Sequence, residues 1–395
     1  MSSSTNAFEL GINYWPRRKA MYMWREFDIA EVRDELAHIA DMGFDTVRLF
    51  ALTQDFLPSR DVVDATMVGR LVEVARVAKE AGLAIVPTLV VINMSGTIWW
   101  PSWMKGADGE PGDLYADPSL VRSQTMLATA CASALAGDTS VRAFDIANEI
   151  DDAQRPQSRD AAREWTSAMA NAIRSGAPGA TVRIGAHLPS LTTDNNMRVD
   201  DLATLLDEDV MHAYPLYSQY ARSFLDPELV PFSCALTADL AAHGRAPLMQ
   251  EFGLCTAPKE SEGITIADDF LGQPRTQYLA SEEEGATYFE SVVNRLAETG
   301  AAGAYAWCYA DYDESLFSRP PLDRAIRERT FGLVRADGSE KPAARVFRAL
   351  RRRRDAGELT RGPAARVVDV SADEYYRSPA EHFERLYAAW VVDHS

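Results

Sequence analysis

The sequence predicts an α/β protein, a (β/α)8 TIM barrel with a C-terminal helical extension. Eight short apolar segments alternate with helix-like stretches between residues 8 and about 350. A doubly wound sheet would show the same alternation, but residues 11–20 lack the glycine-rich GxGxxG turn that usually opens such a fold. The polar residues suited to chemistry stand where apolar segments end, which is where a barrel has its active site. These observations favour the closed barrel.

The eight segments have the length and apolar content of buried strands. We predict strands at residues 8–15, 46–52, 84–92, 141–150, 181–187, 209–216, 247–254 and 303–310. Between them, residues 28–42 place Ile29, Val32, Leu36 and Ile39 on one helical face, and Gly43 follows as a stop signal. Residues 66–81 and 282–299 repeat this pattern, and a glycine follows each of them.

Length and charge restrict the function. The chain has 395 residues, of which 47% are hydrophobic, and one barrel domain commonly spans about 250 to over 400 residues. We therefore predict a catalytic barrel over residues 1–350 and an extension over residues 351–395. The net charge of −18 makes nucleic acid an improbable partner, because phosphate binding requires a basic surface.

Two predicted loops are long. The loop 93–117 follows the third strand and carries Trp99, Trp100, Trp103 and Tyr115, and the loop 255–280 follows the seventh. Long loops on the catalytic face usually shape substrate subsites. Trp99 and Trp100 are candidates for a subsite wall, and a structural staple of the loop is the equally weighted alternative.

The extension is rich in aromatic residues that would not stay exposed to water. They are Tyr375, Tyr376, Phe383, Tyr387 and Trp390. We expect them to pack on the barrel or to form a contact between subunits, so that the extension is a candidate for homo-oligomer formation.

Targeting and cofactor signals are weak. Residues 1–8 have no basic and apolar regions of a secretory signal, and no run of about 18 apolar residues predicts a membrane span. The four cysteines are scattered without CxxC spacing, which favours free thiols and a cytoplasmic location. The six histidines show no HxxxH spacing. We expect no metal, no cofactor and no membrane partner.

Two glutamates carry the functional prediction. Glu149 ends the fourth apolar segment as part of Asn148-Glu149, and Glu251 stands in the seventh, in Met249-Gln-Glu251-Phe-Gly. Two carboxylates at the open end of one parallel barrel are what retaining glycoside hydrolysis requires. The structural alternatives are a helix cap for Asn148 and an ion pair with Arg48 for Glu251. That ion pair is compatible with catalysis, because an adjacent guanidinium keeps a carboxylate ionised.

Three further side chains stand at strand ends near this pair. His212 and Tyr214 share one face of the sixth strand, so Tyr214 is suited to hold an oxygen of Glu251 and His212 to orient Glu149. Trp307 ends the eighth strand, where an indole can stack on the apolar face of a sugar. The alternative for all three is ordinary barrel packing.

This ordered set resembles the clan-A glycoside hydrolases, and family 5 in particular, over residues 8 to about 350. The resemblance rests on Arg48, Asn148-Glu149, His212-x-Tyr214, Glu251 and Trp307. It implies that Glu149 is the acid/base and Glu251 the nucleophile, and that the substrate is an oligosaccharide or glycoside. The segments Gly11–Pro16 and Met94-Ser-Gly96 further resemble bacterial β-mannosidase and β-mannanase-like members.

One position departs from the family pattern. Many members carry a histidine near the end of the third strand, where this chain has Asn93. Either Asn93 takes over the sugar contact or the substrate differs. The resemblance implies a retaining β-mannosidase acting on β-linked manno-oligosaccharides or mannosides. A β-glucosidase, a β-galactosidase or an endo-β-mannanase would use the same residues, and a non-catalytic carbohydrate-binding protein is the alternative of another class.

Overall fold

Strands and helices alternate along the chain in the computed structural model, which describes residues 7–270 and 272–394. Within these residues the strands, numbered β1–β12 in chain order, are Glu9–Asn13, Thr46–Leu52, Ala84–Val91, Asn93–Met94, Thr97–Ile98, Phe144–Asn148, Val182–Gly185, Val210–His212, Leu248–Phe252, Ile264–Phe270, Gln273–Leu279 and Gly303–Ala306. The α-helices, α1–α13, are Ile29–Asp41, Thr53–Phe56, Ala65–Glu80, Pro118–Ala134, Ile150–Ala153, Arg159–Gly176, Pro189–Thr192, Val199–Leu205, Leu229–Ala241, Glu282–Glu298, Pro342–Asp355, Ala372–Tyr375 and Pro379–Asp393.

Short 3-10 helices complete the described elements, and they are Ala20–Tyr22, Ser102–Met104, Pro215–Tyr217, Glu314–Leu316 and Ile326–Thr330. The prediction that no secretory signal is present concerns residues 1–8, of which 1–6 lie outside the described residues. None of the described helices is long and apolar enough to cross a membrane.

Eight parallel strands form the barrel, and each pairs with its neighbours in chain order. They follow one another as β1, β2, β3, β6, β7, β8, β9 and β12, and β12 pairs with β1. The remaining gap, between β7 and β8, is bridged by a parallel pairing of His187 with His212. The amide of His212 also donates to the carbonyl of Ala186 at 2.8 Å. The predicted (β/α)8 fold is confirmed.

Local sequence explains where the helices begin and end. In α1, the side chain of Asp28 caps the amino end by accepting from the amides of Ala30 and Glu31, so the helix begins one residue later than predicted. Its apolar face buries Val32, Leu36 and Ile39 in the hydrophobic core. Gly43 follows at φ +96, a left-handed conformation that favours glycine.

The two segments predicted as loops contain hairpins. Residues 93–117 include the short hairpin β4–β5, and residues 255–280 include the longer hairpin β10–β11. The first four residues of each strand of the longer hairpin are mostly exposed, so both strands lack the continuous apolar run that marks a buried strand. The long connection predicted over 255–280 is therefore present, and most of it is the hairpin β10–β11.

The C-terminal residues contact the barrel helices. The helix α11 continues to Asp355, beyond the predicted boundary at 350, and Arg351 pairs with Asp45 at 3.1 Å. In α13, Phe383, Tyr387 and Trp390 pack around Phe232 of α9 with ring centroids 5.0–5.8 Å apart. The aromatic residues of the extension are thus buried within a single chain.

Candidate active site

A cavity of about 400 Å³ opens at the carboxyl ends of the barrel strands. Most of the side chains predicted to be functional line it. They are Asn93, Asn148, Glu149, His212, Tyr214, Glu251 and Trp307. Parallel strands bring these residues together because their carboxyl ends meet on the same face of the barrel.

Glu149 and Glu251 face one another in this cavity. A carboxylate oxygen of each and a ring nitrogen of His212 all lie within 4.8 Å of one another. Retaining glycosidases hold their two carboxyl groups about 5–5.5 Å apart, whereas inverting enzymes need about 6.5–9.5 Å to admit a water molecule. The separation fits the retaining geometry.

Glu251 is buried and held on both oxygens. The guanidinium of Arg48 binds Oε1, and the hydroxyl of Tyr214 donates to Oε2 at 2.8 Å. Burial raises the pKa of the Glu251 carboxyl, while the charge of Arg48 and the hydrogen bond from Tyr214 oppose this rise. The two partners therefore favour the ionised carboxylate at a site where burial alone would disfavour it.

Arg48 is fully buried, and it connects several strands of the barrel. Besides Glu251, its donors bind Asp145 at 2.7 Å, Asn148 at 2.9 Å, Thr88 at 3.0 Å and Asn13 at 3.2 Å. Such complete pairing is what makes burial of a guanidinium tolerable. The predicted contact between Arg48 and Glu251 is therefore present, within a wider network.

Glu149 stands at the turn from β6 into α5, with φ at 42°. Left-handed backbone is uncommon for a residue other than glycine, and it is typical of functional turns. The carboxyl accepts from Nδ1 of His212 at 2.8 Å and from the side-chain amide of Asn93 at 3.3 Å. Burial raises the pKa of Glu149, which the positive charge of His187 partly opposes.

His212 is an uncharged hydrogen-bond donor to Glu149. Burial lowers its pKa to about 3, so the ring is neutral at neutral pH. The side-chain amide of Gln250 lies 3.3 Å from Nε2 and also donates to Asp145 at 3.0 Å. Because Nε2 accepts from this amide, the single ring proton resides on Nδ1 and points at Glu149.

Asn148 and Asn93 are tied to each other and to the two glutamates. The side-chain oxygen of Asn148 accepts from Arg48, and its amide donates to the carbonyl of Asn93 at 3.0 Å. The side-chain amide of Asn93 lies 3.3 Å from both Glu149 and Asp152. Asn93 therefore stands where it can contact both the acid and a bound sugar.

The tryptophans divide into two groups. Trp307 lines the cavity at the end of β12 and packs against Phe50 with ring centroids 5.7 Å apart. Trp99 and Trp100 are not among the described residues that line the cavity. The indole of Trp99 donates to the carbonyl of Met94 at 3.2 Å, and its ring meets Tyr22 edge-on. These contacts fit the staple alternative for this loop.

Sequence reasoning missed His187. Its Nε2 binds Asp151 at 2.8 Å, and its Nδ1 lies 3.8 Å from both Glu149 and Asp152. Burial opposes charge on this ring, yet the three carboxylates raise its pKa to about 10, so His187 is an imidazolium. The available signal was its position, since His187 is the last residue of the fifth predicted strand.

Two sets of side chains in the cavity have donor atoms close enough for a metal ion. They are Glu149 with His212 and Glu251, and Glu149 with Asp152 and His187. In the first set His212 presents a protonated nitrogen, and in the second His187 is an imidazolium. Both sets are explained by the hydrogen bonds and ion pairs among their own members.

Comparison with known proteins adds a family match. The family model described as Cellulase (glycosyl hydrolase family 5) matches residues 17–289. No curated protein matches the chain by sequence.

Solved structures share the fold. GH5_18 from Streptomyces cattleya, in complex with GlcNAc, has a TM-score of 0.83 and 23% identity over 98% of this chain and 92% of its own. Its E153A variant was solved in complex with Manb1-4GlcNAc, with a TM-score of 0.80 and 23% identity over 97% of this chain and 92% of its own. The exo-beta-1,4-mannosidase Op5Man5 from Opitutaceae bacterium strain TAV5 has a TM-score of 0.74 and 25% identity over 91% of this chain and 63% of its own.

Proposed function

The chain belongs to glycosyl hydrolase family 5, and we propose that it is a retaining β-mannosidase with Glu251 as nucleophile and Glu149 as acid/base. As a member of this family, it hydrolyses O-glycosyl bonds with retention of configuration. The observation that carries the assignment of roles is the different environment of two neighbouring carboxyls. Glu251 is bound by the guanidinium of Arg48 and the hydroxyl of Tyr214. Glu149 instead accepts from two neutral donors, on His212 and Asn93, and the imidazolium of His187 lies 3.8 Å from it.

In the first step, Glu251 attacks the anomeric carbon while Glu149 protonates the departing glycosidic oxygen. Arg48 binds Oε1 of Glu251 and Tyr214 binds Oε2, so the carboxylate is oriented before attack. As the ester forms, Glu251 loses its negative charge, and Arg48 remains paired with the carboxylate of Asp145. The protein therefore keeps its buried charges paired throughout the step.

In the second step, Glu149 accepts a proton from water, and the oxygen of that water attacks the sugar and releases Glu251. The Nδ1 proton of His212 stabilises the carboxylate form that Glu149 has at this stage. The nearby His187 supplies positive charge for the same form. Both contacts support a carboxyl that must gain and lose a proton in each cycle.

The mannoside preference rests on the comparison with Op5Man5, an exo-beta-1,4-mannosidase that is 25% identical over 91% of this chain. Asn93 at the end of the third barrel strand is compatible with this preference, since it places an amide beside Glu149. β-Glucoside and β-galactoside hydrolysis use the same catalytic pair, as does endo-β-mannanase action. The volume of the cavity, about 400 Å³, favours a short substrate cleaved from its non-reducing end.

Hydrolysis of aryl β-mannoside, β-glucoside and β-galactoside tests the substrate assignment. We expect the highest kcat/KM for the mannoside, and equal values for all three sugars would contradict it. Manβ1-4GlcNAc, the disaccharide found in one of the similar structures, is a suitable natural-type substrate for the same comparison. A soluble β-mannan distinguishes exo from endo action, because an exo enzyme releases only a short sugar from its end.

Location and assembly are secondary proposals. The cysteines of the described residues are free and buried, which supports a reducing, cytoplasmic location. Fractionation of cells that express the protein tests this. A homo-oligomer through the extension gains little support, because its aromatic side chains already pack within one chain, and light scattering measures the mass directly.

A further inference from the structure

A second group of polar side chains lines the cavity, and the proposed mechanism does not use it. This distal cluster consists of Ser95, Tyr217, Arg327 and Glu328. Three of its buried atoms, Oγ of Ser95, Nη2 of Arg327 and Oε2 of Glu328, make no hydrogen bond of ordinary distance and angle, although the hydroxyl of Ser95 lies close enough to Glu328 to oppose in part the rise that burial causes in the pKa of its carboxyl. Unpartnered buried polar atoms are rare and costly in proteins. Three of them on one cavity wall indicate a site that a ligand completes.

Arg327 is built into the wall. Its Nη1 donates to Asp268 and to the carbonyl of Asp269, both at 2.5 Å, and its Nε donates to the hydroxyl of Tyr217 at 2.9 Å. Asp268 and Asp269 on β10, together with the hydroxyl of Tyr217, fix the guanidinium, which is fully buried. One nitrogen, Nη2, remains as a free donor. The hairpin therefore holds a donor in the cavity wall.

Glu328 provides the matching acceptor. The hydroxyl of Tyr217 donates to its Oε1 at 3.0 Å, which leaves Oε2 unpartnered although Glu328 is only 4% exposed. Nε of Arg327 lies 3.4 Å from the same Oε1, so the carboxylate is charge-paired. A buried donor and a buried acceptor thus belong to adjacent residues of the cavity wall.

The turn of the hairpin β4–β5 contributes Ser95. Ser95 and Gly96 both have positive φ, at 52° and 71°, which is the conformation of a type I′ turn. Serine is an unusual choice for the first position, where asparagine or glycine is preferred. A Cβ at position 96 would lie 2.6 Å from Nη2 of Arg327, so this turn needs glycine to approach the cluster. Such local strain is typical of functional sites.

The distal cluster is one aromatic layer away from the nucleophile. The hydroxyl of Tyr214 donates to Glu251, the rings of Tyr214 and Tyr217 lie 5.4 Å apart, and the hydroxyl of Tyr217 donates to Glu328. These two rings therefore connect the nucleophile to the cluster along one wall of the cavity.

We propose that the distal cluster binds the hydroxyl groups of the same sugar on the side opposite its anomeric carbon. This inference rests on the proposed function. A hydroxyl both donates and accepts, so Oε2 of Glu328 takes its proton while Nη2 of Arg327 donates to its oxygen. The paired charges disfavour an anion, which Glu328 repels, and a cation, which Arg327 repels. The cluster thereby requires a neutral terminal sugar and closes the cavity beyond it.

The substitutions Glu328→Gln and Ser95→Ala test this proposal, because both keep the shape of the wall. Arg327 is left in place, since its loss would also release the hairpin. Glu164→Gln, on the exposed face of α6, is the matched control. The substrate is the aryl β-glycoside that the wild type hydrolyses fastest among mannoside, glucoside and galactoside, together with its 3-deoxy and 4-deoxy analogues.

For the wild type, we expect removal of a hydroxyl to lower kcat/KM about 10- to 100-fold, as for hydrogen bonds to charged groups. Glu328→Gln should lower kcat/KM for the parent glycoside by a similar factor and reduce the penalty for the deoxy analogues to within about threefold. Ser95→Ala should change kcat/KM in the same direction by a smaller factor. A merely structural defect would lower kcat/KM equally for the parent glycoside and its deoxy analogues, so the ratio between them would stay as in the wild type.

Three outcomes overturn the proposal. They are wild-type kcat/KM in Glu328→Gln, a uniform loss with the discrimination intact, and a loss confined to a disaccharide with the aryl glycoside unaffected. The third would place the cluster on the leaving-group side.

A wild type that hydrolyses none of the three aryl glycosides would contradict the proposed function instead. In that case, titration calorimetry with methyl β-mannoside, β-glucoside and β-galactoside measures whether the distal cluster contributes to sugar binding. Binding that is at least tenfold weaker in Glu328→Gln supports it, and equal or undetectable binding overturns it.

Discussion

Arg48 on β2 and Glu251 on β9 form an ion pair across the interior of the barrel, although β1 and β12 lie between their strands. The same guanidinium binds Asp145 on β6 at 2.7 Å. One cation is therefore shared between two buried carboxylates, one structural and one proposed to be catalytic. This sharing links the stability of the barrel to the ionisation of the nucleophile.

Replacement of Arg48 by methionine should destabilise the fold. Methionine fills similar space but leaves Asp145 and Glu251 as buried carboxylates without a cation, which costs roughly 3–5 kcal/mol of the free energy of unfolding. Urea denaturation measures this. Arg33→Met removes an exposed ion pair with Glu80 and should change the stability by less than about 1 kcal/mol. Equal effects of the two substitutions would contradict the shared-cation interpretation.

The charges around Glu149 should control the alkaline limb of the pH–activity profile. Glu149 must be protonated to act as acid, so kcat/KM falls as the pH rises through its pKa. Burial raises this pKa, and the imidazolium of His187 lowers it in part. In His187→Asn the opposing charge is lost, the pKa of Glu149 rises, and the alkaline limb should move to higher pH.

Asp152→Asn provides the matched opposite change. Asp152 and Glu149 share the amide of Asn93, and the negative charge of Glu149 raises the pKa of Asp152. Because repulsion between like charges is mutual, an ionised Asp152 also opposes the ionisation of Glu149. Removing this charge should lower the pKa of Glu149 and move the alkaline limb to lower pH. Profiles of kcat/KM against pH for both variants check this. Shifts in the same direction would contradict the assignment of Glu149 as the titrating acid.

The extension should contribute to stability through Trp390. This side chain is buried against Phe232, and its indole donates to Glu228 at 3.0 Å. Trp390→Ala should lower the free energy of unfolding by roughly 3–5 kcal/mol, as for other buried aromatic residues. Val392 on the same helix is 77% exposed, and Val392→Ala should cost less than about 0.5 kcal/mol. Thermal unfolding compares the two, and similar midpoints would contradict a packing role.

The barrel and the glutamate pair could be predicted from the sequence because both depend on local signals. Buried strands appear as apolar runs, and a functional residue at a strand end interrupts such a run. The fourth strand was predicted to reach residue 150 but ends at Asn148, because Glu149 adopts a left-handed conformation that apolar content does not reveal. The predicted contacts of Glu251 with Arg48 and Tyr214 are present because the carboxyl ends of parallel strands meet on one face of the barrel.

The rest depended on contacts between distant segments. The distal cluster joins Ser95, Tyr217 and Arg327, which come from the connections after three different barrel strands, β3, β8 and β12. Its anchor Asp268 lies in a hairpin without a strong strand signal. Trp99 and Trp100 show the reverse case. An aromatic cluster in a long loop is equally compatible with sugar binding and with packing, and only the tertiary contacts distinguish the two.

The central claim is that Glu251 forms a covalent bond to the sugar. An activated 2-deoxy-2-fluoro-β-mannoside forms this bond but hydrolyses slowly, so the adduct accumulates. Mass spectrometry of the intact protein, followed by peptide mapping, should find one fluorosugar, attached to Glu251, and no adduct in Glu251→Ala. A label on Glu149, or turnover by Glu251→Ala at the wild-type rate, would contradict this account.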